Sequence, residues 1–129
     1  MTANDIEHAL ERLVEADRAR SDATRAISNY QAERTEPPAP PVFEDIRAFL
    51  AFHSVRQGYY VGLRQEEAAR FKAEEAYRQA ADSLSSVLPS GSRLFYTYEG
   101  NSVTLRGVTF VIENQGGKIV ILNSSGPAP

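Results

Sequence analysis

The amino-acid sequence predicts an α+β fold: two long N-terminal helices, forming a coiled-coil-like helical hairpin, followed by a small C-terminal antiparallel β-meander. Three observations predict it. Charge is concentrated in the front of the chain. Residues 1–36 carry eight acidic and five basic side chains and residues 42–88 carry seven and six, whereas residues 89–129 carry only Glu99 and Glu113 against Arg93, Arg106 and Lys118. Apolar side chains in the first two stretches recur at every third or fourth place, the period of a helix, while the last stretch is β-branched and glycine-rich, as strands and turns are. Finally, Pro37, Pro38, Pro40 and Pro41 separate the two periodic stretches with a segment no helix can cross. The 129 residues suffice for one domain, and a hydrophobic content of 42% can bury apolar surface.

The first helix is expected over residues 1–36. Asn4 with Glu7 suggests a capping box, and Asp5 and Glu7 suit the positive end of the helix dipole. Within it, Ile6, Ala9, Leu13, Ala16, Arg20, Ala23, Ile27 and Tyr30 form a heptad stripe. The stripe is narrow, and a narrow stripe suits a coiled-coil seam better than the flank of a globular core. The helix must stop near Arg34, and residues 37–41 read as a stiff polyproline II spacer.

Residues 42–88 read as a second helix, with a kink near Gly58 as an option. Its first half carries the stripe Ile46, Phe49, Phe52, Arg56, Tyr59 and Leu63. Its second half carries Ala69, Ala73, Ala76, Ala80, Leu84 and Val87. Glu66 and Glu74 each precede an arginine by four residues, Arg70 and Arg78, the favourable order for an exposed face. Gly58-Tyr59-Tyr60-Val61-Gly62 is a GxxxG, which offers a close-contact groove in a helix too polar and too short in apolar run to span a membrane.

The meander is expected over residues 89–125, with strands at Leu94–Tyr98, Val103–Glu113 and Lys118–Leu122. Alternation slips by one place at Gly107, which predicts a β-bulge there. Residues 126–129 are expected to be a mobile tail.

Chemistry is sparse. Without cysteine there is no disulfide, thiolate nucleophile or Cys-ligated metal. The histidines are His8 and His53 only, and no zinc-binding, P-loop, Rossmann or nucleophile-elbow motif occurs, so no catalytic, cofactor-binding or metal residues are assigned. A net charge of −3 disfavours a nucleic-acid partner. Met1–Asp5 lacks a basic n-region and an apolar h-region, so no secretory signal is expected, and the location expected is the cytoplasm or an assembled particle.

Helices of this length imply association. At 1.5 Å per residue they run to about 46 and 69 Å, against about 36 Å across for a compact globule of this size. The third strand, Ile119-Val120-Ile121-Leu122, is apolar on both faces and needs a cover on each. A homo-oligomer, with a second protein as a further partner, is the expected state. Its interface is expected at Phe49, Phe52, Tyr59, Tyr60, Tyr96, Tyr98, Phe110, Ile119 and Ile121, with Phe95 beside them. The layout resembles small self-assembling components of phage particles or bacterial appendages. That resemblance implies a non-enzymatic structural protein of a virion or another large bacterial assembly. The alternative is a cytoplasmic adaptor or regulator whose β end binds a protein or peptide.

Overall fold

The computed structural model describes residues 2–38 and 42–125. The fold is α+β as expected: α1 (Ala3–Glu33), α2 (Ile46–Ser85), β1 (Arg93–Thr97), β2 (Thr109–Gln115) and β3 (Lys118–Ser125). Residues 39–41 of the proline linker and the tail 126–129 lie outside the described residues.

The helix starts differ from expectation. Thr2 caps α1: its hydroxyl accepts the Asp5 N–H at 3.2 Å, and its own N–H donates to the Asp5 carboxylate at 3.0 Å. The cap therefore lies two residues before the Asn4–Glu7 pair. Hydrogen bonds from the Thr2 backbone and hydroxyl hold the Asp5 carboxyl below its usual range. Asp45 caps α2 by accepting the Ala48 N–H at 2.8 Å, so this helix begins at Ile46, not near residue 42. It runs unbroken through Gly58 and Gly62.

Two compact units divide the chain across these elements. The first comprises residues 1–19 and 73–129. Here the sheet, of order β1-β2-β3 and antiparallel throughout, buries Phe110, Ile112 and Ile119. These join Tyr98 and Leu105 from the loop beside the sheet, and Ala9, Leu10, Leu13, Val14, Ala80 and Leu84 from the two helices. Leu10 and Val14 add a second buried column to α1. This part of the heptad stripe is the flank of a globular core and not a narrow seam.

The second unit, residues 20–72, is a helix pair. Ala23, Ile27 and Tyr30 of α1 continue the stripe as a single column, and Tyr59 of α2 is buried with them. The Tyr30 and Tyr59 rings lie 5.5 Å apart, and the Tyr30 hydroxyl donates to the Tyr59 carbonyl at 2.6 Å. Gly62 makes room for it: a methyl there would meet Tyr30 Cζ at 2.8 Å and overlap the hydroxyl.

The second half of α2 departs from its expected stripe. Ala73, Ala80 and Leu84 are buried, but Ala69, Ala76 and Val87 are exposed and half-buried Tyr77 joins the core side. Arg78 pairs with Glu75 at 2.6 Å, three residues away.

The sheet also corrects its expected layout. Val103–Gly107 is a turn, and the second strand starts only at Thr109. Gly107 takes φ 82° and donates its N–H to the Tyr98 carbonyl, closing that loop. The loop buries Leu105 and leaves Val103, Thr104 and Arg106 exposed. The bulge lies instead in β3, where Val111 pairs with Asn123 and Ile112 with Ile121, leaving Leu122 as the extra residue. β3 runs on to Ser125, beyond the expected Leu122.

Candidate functional site

The tyrosines of the first strand and the loop after it form the most polar cluster inside the first unit. The Tyr98 side chain is fully buried. Its hydroxyl donates to the Glu15 carboxylate on α1 and accepts the Ser102 N–H at 3.1 Å. Burial, then the bond to Glu15, pushes the phenol pKa above its ordinary value. Tyr96 lies on the same inward face, and burial, then the Glu11 charge, raises it to about 12. Both phenols therefore stay protonated at neutral pH, and Tyr98 is a structural hydrogen-bond donor that ties the sheet to α1.

Asn114 is the buried polar side chain of β2. It donates to the Leu88 carbonyl at 2.6 Å and accepts the Gly117 N–H at 2.7 Å. One side chain thereby joins the end of the helical part to the β2–β3 turn. Sequence reasoning missed it, although its alternation with Phe110 and Ile112 marks it as inward.

Most residues expected at an interface are used within the chain. Tyr59, Tyr98, Phe110 and Ile119 are buried, and Tyr96 and Ile121 are half-buried against the core. In the second unit Tyr60 is half-buried and donates its hydroxyl to Glu36 at 3.0 Å. Phe52 is half-buried 5.3 Å from Phe43, which also meets Phe49 edge-on at 5.4 Å. Phe49 alone of the nine is exposed, with exposed His53 stacked on its ring at 5.8 Å.

The exposed apolar surface lies elsewhere. On α2, Ile46, Leu50, Val55 and Val61 are exposed, Ile46 at 66% and Val55 at 69%. Ile46 and Val55 are nine residues apart, which at about 100° per residue sets them on opposite sides of the helix. The segment is thus apolar on more than one side. On the outer face of the sheet, Phe95, 72% exposed, pairs directly with Val111, and exposed Leu122 stands at the bulge. The Arg93–Glu113 pair at 3.0 Å and the Thr97–Thr109 hydroxyl contact at 2.7 Å bracket this apolar strip.

Other features offer little chemistry. An open groove of about 630 Å³ in the second unit is lined by Asn29, Tyr30, Glu33, Arg34, Gly58 and Gln65, among others. Its Arg34 stacks on Tyr30 at 4.2 Å and pairs with Glu33 at 3.8 Å. Among the described residues no group of three or more His, Asp and Glu is placed to hold a metal. Among the described residues no helix is long and apolar enough to cross a membrane. No family model, curated protein or solved structure matches the chain.

Proposed function

We propose that this chain is a non-enzymatic structural or assembly protein that self-associates through its helices, with the apolar outer face of the sheet contacting further copies or a partner protein. One observation carries the reading: residues 46–61 of α2 expose large apolar side chains on opposite sides of the helix. A helix that is apolar all round belongs in a protein interior, and an exposed one gains most by being covered. A subunit of a phage particle or a bacterial appendage is the setting such a chain suits.

Light scattering coupled to size exclusion tests the reading. The wild-type chain is expected above monomer mass at micromolar concentration, and Ile46→Glu with Leu50→Glu is expected to lower that mass. A wild-type chain that remains monomeric overturns it.

The exposed Phe95 on a sheet whose outer strands are both edges favours a second reading, an adaptor whose β end takes a peptide by strand addition. That reading predicts a monomer with a co-purifying partner lost on substitution of Phe95.

A further inference from the structure

The charge on α2 is unevenly distributed. Residues 46–65 hold Arg47, Arg56, His53 and Arg64 and no acidic side chain. Residues 66–85 hold Glu66, Glu67, Glu74, Glu75 and Asp82 against Arg70, Lys72 and Arg78. A helix that is basic in its first half and acidic in its second complements a copy of itself running in the opposite direction. Alongside a parallel copy it would instead set like charge against like.

The side of the helix that such a copy would meet is identifiable within the second unit. Tyr59 and Gly62 face Tyr30 of α1. At about 100° per residue, Tyr60, Arg64, Glu67 and Phe71 fall in one arc of roughly 60°, centred about 140° around the helix from that contact. Arg64 and Glu67 are exposed, and Phe71 is 65% exposed, so two aromatic rings bracket one cation and one anion on this face. Around Arg64, the residues His53, Arg56, Gln57, Tyr60 and Val61 line a shallow groove of about 320 Å³ that contains no acidic side chain.

We infer that α2 docks on α2 of a second copy of this chain, antiparallel, about a two-fold axis passing beside Gln65 and Glu66. This rests on the self-association proposed above and specifies its partner and direction. In that register Arg64 meets the partner's Glu67 and Tyr60 meets the partner's Phe71. Both pairings are centred on the same point of the helix, so one register satisfies them together. The two-fold axis makes each contact occur twice, as an isologous interface requires. The aromatic pairs supply apolar contact, and the ion pairs select direction and register.

Charge reversal tests the pairing by sedimentation velocity, with circular dichroism to confirm that each variant keeps its helices. Arg64→Glu and Glu67→Arg are both surface changes. Each alone sets two like-charge pairs across the axis and is expected to raise the dissociation constant roughly tenfold or more. The double variant restores opposite charges at both places and is expected to associate as the wild type does. An equimolar mixture of the two single variants is expected to associate where neither does alone. A monomeric wild-type chain overturns self-association and the pairing with it. A wild-type oligomer unaffected by either single change, or not restored in the double variant, overturns the antiparallel pairing alone.

Discussion

An added methyl group distinguishes the two glycines of the GxxxG in this chain. At Gly62 an added Cβ meets Tyr30 Cζ at 2.8 Å, whereas at Gly58 it meets nothing within 4 Å. Gly62→Ala must displace a ring whose hydroxyl is bonded to the Tyr59 carbonyl, and it is expected to lower stability by about 1–3 kcal/mol. Gly58→Ala only replaces a flexible residue in a helix interior and is expected to raise stability by about 0.5–1 kcal/mol. Urea unfolding followed by circular dichroism distinguishes them, and equal effects would refute this account of the motif. Tyr96 sets a pH limit in the same way. Burial pushes its phenol pKa up to about 12 in the folded chain, against about 10 for a free tyrosine. Between those values the unfolded chain has lost a proton that the folded chain retains, so stability falls as pH rises through that interval. Below pH 10 both states hold the proton and the residue adds no pH dependence. Thermal midpoints are therefore expected to drop between about pH 10 and 12, and Tyr96→Phe is expected to flatten that drop.

Elements are held in place here by a few polar side chains at their ends. Asn114 satisfies the Leu88 carbonyl after α2 and the Gly117 N–H in the hairpin turn, while its own backbone exchanges hydrogen bonds with Gly91 and Ser92. Asn114→Ala would remove both bonds, one to the carbonyl of half-buried Leu88, and is expected to cost about 1–3 kcal/mol, read as a lower urea midpoint. Asn114→Asp keeps the acceptor for Gly117 but faces the Leu88 carbonyl with a second acceptor, and it is expected to destabilise as well. The two helices and the existence of the meander were legible in the sequence, because periodicity and proline punctuation are local signals. The whole α1 stripe from Ala9 to Tyr30, with half-buried Arg20, faces inward as its spacing implies. What was not legible depends on contacts distant along the chain. Leu10 and Val14 widen the stripe only because the sheet packs there. Val103–Gly107 has the composition of a strand but turns to bury Leu105, and Tyr98 is aimed inward by Glu15, 83 residues away. The aromatic residues expected at an interface are typical of interfaces and cores alike, and no local pattern separates the two.

At the scale of the whole molecule, the two faces of the sheet can be altered separately. Its inner face completes the core with Phe110, Ile112 and Ile119 against Leu13, Val14 and Leu84. Deleting everything after Leu88 would uncover those helix residues and unfold part of what the helices need, so a truncation cannot isolate the role of the β end. The outer face can be altered without touching the core. Phe95 is 72% exposed and its neighbours there are Val111 and the Arg93–Glu113 and Thr97–Thr109 pairs. Phe95→Lys is therefore expected to change folding stability by no more than about 0.5 kcal/mol. A lysine on an edge strand also discourages strand pairing with another chain. If the outer face joins copies beyond those held by the helices, this substitution is expected to remove the larger species in light scattering while the helix-mediated species remains. If the face instead binds a peptide partner, the mass of the chain is unchanged and the co-purifying protein disappears. An unchanged mass with no partner lost would deny the outer face any part in association and leave the proposed self-association to the exposed half of α2 alone.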